Sequence, residues 1–397
     1  MEIPKAVSGR RVTNRGVHGP PTGYHGFWLE RWQYWIELLV DMEMSWLVVL
    51  ADGDSVTRAM PEIGGRSVVQ LLLEHGVIPI VRYQVKLNYP FPNLEDVEVL
   101  VAQCAAFGAP ALVCMGNEPA DKREWKNEQR PRDWFERYCA WFSRHAPEVA
   151  RAGAYPGFAD APVYGRDPWP LMSETWGLWE DEIAWWAGHY YGLNRPPDYP
   201  YDSVQQAGQP LLSEQDLVEW FGPHYEEPGM NELSVAAINT SREAGAWPGL
   251  TASQDATCFR GYERVLGWMK QHFGRVLAMG MTEGGWTPGA FCDPRYPKAT
   301  PVQVAEWTRW MCEESEAPMF AFCSWLLASG DMGASGWPFD VWVGWCWDWI
   351  YGREKSVVGM LRETPAGGEG EGTSPLRALG AARGLMAEAA GILDIRD

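Results

Sequence analysis

Residues 111–119 read Ala111-Leu112-Val113-Cys114-Met115-Gly116-Asn117-Glu118-Pro119. The apolar run Ala111 to Met115 does not alternate with polar residues, so both faces of the extended segment must be covered, as in a parallel sheet. It stops at Gly116, and the polar pair Asn117-Glu118 follows at once. A second stretch is built the same way: Val276 to Met281 is mostly apolar and leads into Thr282-Glu283-Gly284-Gly285-Trp286. Strands of this kind need helices packed outside them, so the chain should alternate strand and helix.

Working outward, the same alternation is found along the chain. Short apolar runs predict strands at Gly16–His18, Trp46–Leu50, Val77–Arg82, Ala111–Met115, Arg151–Tyr155, Ile183–Tyr191, Val276–Met281 and Met319–Leu327. Amphipathic or apolar-periodic runs predict helices at Phe27–Met42, Val68–His75, Leu94–Ala106, Pro131–His145, Phe259–Phe273 and Val302–Glu314. Trp28, Trp32, Trp35 and Leu39 fall near helical spacing in the first, Gly76 stops the second, and a proline opens Pro131–His145. A last helix is expected from Ser374-Pro375 to about Ile392, after the glycine-rich acidic loop Gly367–Gly372. Eight such rounds predict a closed (β/α)8 barrel, an α/β TIM barrel with long loops at the C-terminal face of the strands.

The 397 residues suit one barrel with large loops, so residues 1–397 are expected to form one catalytic domain. In Pro156–Asp181, rich in Pro, Gly and Trp, the helix of this round is not resolved by the sequence pattern. A long insertion at about 192–256 is expected to carry short helices and form a lid or cleft wall. A Trp-rich loop at about 330–351 follows the eighth strand. No G-x-G-x-x-G follows the first strand, which argues against a dinucleotide-binding sheet.

Composition narrows the partners. A formal net charge of -19 repels phosphate backbones, so nucleic acid is not expected. The 24 Trp residues offer flat apolar faces with one N–H each, which suits the C–H faces of sugar rings, although most should fill the core. The 8 cysteines form no C-x-x-C pair and sit largely in apolar runs, so buried free thiols are expected. With no signal-like apolar segment after Met1-Glu2-Ile3-Pro4-Lys5 and no apolar run of about 18 residues, the expectation is a cytoplasmic protein without a membrane partner, or a secreted one if a signal has been trimmed away.

In a barrel of this kind the working residues lie at the C-terminal ends of the strands. That rule selects His18, Asp52, Asp54, Arg82, Asn117, Glu118, Tyr155, Asp160, His189, Tyr191, Glu283, Trp286 and Trp325. Glu118 and Glu283 stand out, because each directly follows an apolar strand and is itself followed by Pro or Gly. Strands four and seven lie nearly opposite in an eight-strand ring, so their tips can converge on one bound atom. Two facing carboxyl groups are what glycoside hydrolysis uses, about 5–5.5 Å apart for retention and about 6.5–9.5 Å for inversion. The seven His show no H-E-x-x-H or paired ligand spacing, and neither a G-x-S-x-G elbow nor a Walker loop occurs, so no metal or cofactor is expected.

Gly116-Asn117-Glu118-Pro119 resembles the Asn-Glu-Pro of the clan A retaining glycoside hydrolases, the cellulase-, mannanase- and β-xylosidase-like barrels. The resemblance implies that Glu118 is the general acid/base after strand four, and that Glu283, in Met281-Thr282-Glu283-Gly284, is the nucleophile on strand seven. His189-Tyr190-Tyr191 resembles the H-x-Y on strand six, which implies that Tyr191 hydrogen-bonds the nucleophile. Ser324-Trp325 resembles the strand-eight Trp that floors the substrate subsite. Substrate contacts are expected from Asn117, His18, Arg82, His189, Tyr191, Trp286 and Trp325, with Asn117 on the sugar 2-hydroxyl. Trp337, Trp342, Trp345, Trp347 and Trp349 either line outer subsites or pack the loop that carries them. The chain departs from the cellulase-like pattern at strand two, where an Arg is expected and Asp52-Gly53-Asp54 stands, while Arg82 ends strand three. The expected activity is retaining hydrolysis of a β-linked oligo- or polysaccharide by double displacement. A non-catalytic carbohydrate-binding barrel and a transglycosylase using the same two glutamates are the alternatives.

Overall fold

The computed structural model describes residues 1–19, 24–51, 56–83, 86–91, 94–160, 165–221, 234–286, 293–299, 301–324, 328–329, 347–348 and 353–354. Eight strands close into a barrel: β1 Arg15–His18, β2 Trp46–Ala51, β3 Ile78–Tyr83, β4 Leu112–Met115, β5 Tyr155–Asp160, β6 Trp185–Leu193, β7 Met279–Trp286 and β8 Phe322–Ser324. Each pairs in parallel with its sequence neighbours, and β8 closes the ring on β1 through Phe322 opposite Arg15 and Ser324 opposite Val17. Helices α1 Tyr24–Asp41, α2 Val68–Glu74, α3 Leu94–Ala106, α4 Trp134–Arg151, α5 Trp176–Glu180, α9 Tyr262–Phe273 and α10 Pro301–Glu313 connect them. This is the (β/α)8 barrel that the continuous apolar strands require. None of the described helices is long and apolar enough to cross a membrane.

The fifth round is displaced from its expected place. The helix expected to end at His145 continues through Pro147 to Arg151, because Ala146 and Val149 prolong its buried stripe. Proline there removes one N–H from the helix ladder, and the packing outweighs that loss. The strand expected at Arg151–Tyr155 is therefore the helix end and a turn at Gly153 (φ 94°), and β5 begins where it was expected to stop. Pro156 and Gly157 obscure the strand in the sequence, yet Gly157 is needed: a Cβ there would lie 2.5 Å from the Trp185 indole. Smaller shifts move β6 and β7 toward the C-terminal face, so that Glu283 lies within β7 rather than after it.

Between β6 and β7 lie α6 Ser203–Ala207, α7 Glu214–Phe221 and α8 Val235–Gly245. A polar network ties this insertion to the segment after β7. Arg195 Nε and Arg295 Nη2 donate to Asp293 Oδ2 at 3.0 and 2.8 Å, and Tyr296 donates to Asp202 Oδ1 at 3.0 Å. Trp35, Trp46, Trp125, Trp169, Trp179, Trp185, Trp186 and Trp286 are fully buried, the role expected of most tryptophans. Cys104, Cys114, Cys139, Cys258, Cys312 and Cys323 are free and buried. The expected glycine-rich loop and final helix, and Asp52 to Asp54, lie outside the described residues, as does the Trp-rich loop apart from Trp347–Asp348, which forms a short strand.

Candidate active site

The tip of β7 is shaped by its contact with β6. Gly188 pairs with Met281, but His189 pairs with Glu283, so Thr282 is an extra residue in the ladder. Such a bulge re-aims the side chains beyond it. Gly284 (φ 147°) and Gly285 (φ 81°) follow, conformations that side-chain-bearing residues rarely adopt. A Cβ on Gly284 would run into the Tyr190 carbonyl oxygen and sit 2.7 Å from the carbonyl carbon. The two glycines let β7 lie close against β6 while Glu283 meets His189. Alternation on β6 puts His189 and Tyr191 on the same side, and Tyr190 turns the other way, edge-on to Tyr262 with ring centroids 6.2 Å apart.

Glu118 is carried by the loop after β4. Gly116 has φ 89°, and Leu87 and Tyr138 close over it, each 3.5 Å from where a Cβ would sit. Tyr138 donates to Met115 O at 2.8 Å and accepts from Ala159 N at 2.9 Å, bridging the ends of β4 and β5. Buried Trp125 donates to Pro119 O at 2.8 Å, and Asp121 N to Glu118 O at 2.7 Å, which fixes the loop beneath the carboxyl group.

The described residues converge on Glu283. Arg82 Nη1 donates to Glu283 Oε1 in a direct ion pair, and to Asn117 Oδ1 at 2.6 Å. Tyr191 donates to Glu283 Oε2 at 2.6 Å. His18 Nε2 lies 3.8 Å from Glu283 Oε1. His189 Nδ1 is 3.0 Å from Glu118 Oε1 and 3.6 Å from Glu283 Oε2, while its Nε2 faces Arg82 Nη2 at 3.3 Å. A guanidinium can only donate, so Arg82 binds the bare Nε2 and the imidazole proton sits on Nδ1, between the two carboxylates. One oxygen of Glu118, one of Glu283 and a nitrogen of His189 all lie within 4.8 Å of one another.

The electrostatics separate the two carboxyl groups. Burial alone pushes the Glu283 pKa up, but His189, the Arg82 cation and the Tyr191 hydrogen bond outweigh it and hold the carboxyl well below its ordinary range. Burial, with the Arg82 charge beside it, pushes His18 down to about 3, so this imidazole is neutral. Burial and the charges of Glu283 and Glu118 push Tyr191 well up, so it stays a donor. The Glu283 side chain is 7% exposed and that of Glu118 25%, so only Glu118 opens onto solvent. The arrangement provides one fixed carboxylate facing a second, more accessible carboxyl group.

His18, Arg82, Asn117, Glu118, His189, Tyr191 and Glu283 are thus brought together. Arg82 reaches Glu283 from β3; the position after β2 at which the resemblance led an arginine to be expected lies outside the described residues. Trp286, expected to face substrate, is buried instead. Its Nε1 donates to Arg195 O at 2.8 Å, and its ring packs on Phe259 and Trp307, with centroids 5.3 and 5.6 Å away. Tyr155 begins β5 rather than ending it, bonding Ala111 O at the opposite end of the barrel from Glu118. Trp325 lies outside the described residues. Glu124, which no motif marks, is an additional member: its Oε1 accepts from Asn117 Nδ2 at 3.3 Å.

The ligand atoms of Glu118, His189 and Glu283 are close enough to hold a metal ion. The donor set opposes one. The nitrogen available to an ion, Nδ1, is the one Arg82 keeps protonated, and a metal ligand must be bare. Arg82 also already neutralises Glu283.

No family model matches the chain, and no curated protein matches it. Among solved structures it is similar to a family 51 α-L-arabinofuranosidase from Bifidobacterium longum, at 11% identity and TM-score 0.43, over 83% of this chain and 69% of that one. A family 1 β-glucosidase from Thermotoga maritima is similar at 12% identity and TM-score 0.41, over 85% of each chain. An endo-laminarinase from Formosa is similar at 12% identity and TM-score 0.40, over 84% of this chain and 83% of that one.

Proposed function

We propose that the chain is a retaining glycoside hydrolase that cleaves β-linked oligo- or polysaccharide by double displacement. The observation that carries this reading is the pair of facing glutamates, with an oxygen of each within 4.8 Å. An approach this close between one oxygen of each favours retention, in which the carboxyl groups stand near one another, over inversion, which needs room for a water between them.

Glu283, held ionised by Arg82 and Tyr191, attacks the anomeric carbon. Glu118 gives its proton to the departing oxygen as the glycosidic bond breaks. His189 Nδ1–H engages Glu118 Oε1, which leaves the other oxygen to carry that proton. A glycosyl ester on Glu283 results, and its negative charge is gone. Glu118, now ionised, takes a proton from water, whose oxygen attacks the anomeric carbon and frees Glu283. Neutral His18 and un-ionised Tyr191 surround the nucleophile without adding charge. Asn117 meets the sugar hydroxyl beside the anomeric carbon.

Azide rescue tests the two roles separately. Glu283→Ala should lose turnover, and azide should restore some of it with a glycosyl azide of inverted configuration, because the anion attacks from the vacated side. Glu118→Ala should still form glycosyl-enzyme from an activated aryl glycoside, and azide should then give a product of retained configuration. Reversed stereochemistry would mean the roles are exchanged. A wild-type chain that binds glycans but turns over no member of an aryl glycoside panel would be a carbohydrate-binding barrel instead.

A further inference from the structure

Glu124 closes a three-residue 3-10 turn, Lys122–Glu124, six residues beyond Glu118. Asp121 caps this turn by accepting from Arg123 N at 2.7 Å, and Leu87 N donates to Glu124 O at 2.9 Å, which ties the turn to the loop after β3. The backbone of Glu124 is therefore anchored from two directions. Its side chain then points to Asn117, whose Nδ2 donates to Glu124 Oε1 at 3.3 Å.

Asn117 has one carbonyl oxygen and one NH2 group. Arg82 can only donate, so it must face the oxygen, and the NH2 group must face the carboxyl oxygen of Glu124. Arg82 Nη1 is at the same time the donor to Glu283 Oε1. A continuous chain thus runs from Glu124 through Asn117 and Arg82 to Glu283. Burial pushes the Glu124 pKa up, and the Asn117 hydrogen bond, Arg82 and Lys86 offset part of that.

We propose that Glu124 is a positioning residue: it grips the Asn117 amide, keeping Asn117 Oδ1 on Arg82 and its second N–H toward the substrate hydroxyl beside the anomeric carbon. This rests on the glycosidase reading for its kinetic consequence, though not for its geometry. The side-chain hydrogen bond of Glu124 is to Asn117, so in this proposal it acts through Asn117. Leucine at 124 fills similar volume but accepts no hydrogen bond, whereas glutamine keeps an acceptor in place.

The test is a double-mutant cycle with a spectroscopic partner. Glu124→Leu should lower kcat/KM on a 2-hydroxy aryl glycoside by about 30- to 100-fold, the scale of an ångström-sized misplacement. Glu124→Gln should stay within about 3-fold of wild type, since an acceptor at the same reach restores the grip. In an Asn117→Ala background, Glu124→Leu should cost less than about 2-fold more, because the residue through which it acts is gone. In parallel, the side-chain NH2 signals of Asn117 in 1H–15N spectra should move in Glu124→Leu and hold near wild-type positions in Glu124→Gln. An equal loss with and without Asn117, or Asn117 signals that ignore Glu124→Leu, would overturn the proposal. If the wild-type chain hydrolyses no glycoside, the functional reading falls, and the Asn117 signals still decide the role of Glu124.

Discussion

Replacing Arg82 with methionine removes the cation that faces Glu283 while keeping most of the side-chain volume. In the folded chain Arg82 contacts Glu283 Oε1, Asn117 Oδ1 and His189 Nε2. Two charges about 4 Å apart at an effective dielectric constant of about 20 interact by about 4 kcal/mol, which is about 3 pKa units. Much of what holds the Glu283 carboxyl down is therefore lost in Arg82→Met. Asn117 and His189 also lose a donor, at about 1–3 kcal/mol each, and that part does not depend on the charge of Glu283. The signature lies in the pH dependence. In wild type the folded pKa of Glu283 is depressed below the unfolded value of about 4.3, so its stabilising contribution is full above that pH and is lost as pH falls toward the folded value. Without Arg82 the folded pKa rises, and that acid-side loss shrinks or disappears. The stability gap between wild type and Arg82→Met should thus be widest near neutral pH, and should narrow by about 1.4 kcal/mol per pH unit below about pH 4. Urea unfolding of both proteins at pH 7, 4.5 and 3 measures it. A gap that stays constant from pH 7 to pH 3 would refute the argument that Arg82 keeps Glu283 ionised.

Two other outcomes follow from the same geometry. Tyr191→Phe removes the 2.6 Å hydrogen bond to Glu283 Oε2. A bond to a charged group is worth about 1.5–3 kcal/mol, so kcat/KM on an aryl glycoside should fall by about 10- to 100-fold with little change in urea midpoint, and an unchanged rate would remove Tyr191 from the site. Gly284→Ala places a methyl group against the Tyr190 carbonyl at φ 147° and should destabilise the chain by at least about 2 kcal/mol in urea unfolding. Stability within about 0.5 kcal/mol of wild type would mean that the β6–β7 contact is looser than described.

The sequence made the barrel legible because buried parallel strands announce themselves as unbroken apolar runs, each ending abruptly in Gly or a polar residue. It located Glu118 and Glu283 for the same reason, whereas the contact of Tyr191 with Glu283 was expected only from the resemblance of His189-Tyr190-Tyr191 to an H-x-Y motif. Strand five was displaced because its own residues, Pro156 and Gly157, look like a turn, while the helix before it runs on through Pro147. The aim of Trp286 was not legible: within a bulged strand the alternation of faces shifts, and the ring turns toward Phe259 and Trp307 rather than the cleft. Glu124 was hidden because its partner, Asn117, is reached through a turn whose geometry no periodic pattern encodes.

Arg82 reaching Glu283 from the third strand has a wider meaning for how such a site can change over evolution. A closed barrel is a ring whose strand tips all look onto one small volume. What Glu283 needs is positive charge at a point in that volume, and the ring offers several addresses from which a long side chain can deliver it. A guanidinium can move from one address to its neighbour while the carboxylate it serves stays where it is, provided both are present for a time. In the proposed mechanism the two glutamates have no such freedom, because each approaches a single carbon from its own side. Positions around this ring should therefore drift at unequal speeds, with anchors that stay and helpers that migrate. A chain can then lose a strand-by-strand signature in its helpers while its two carboxylates still face each other across the mouth.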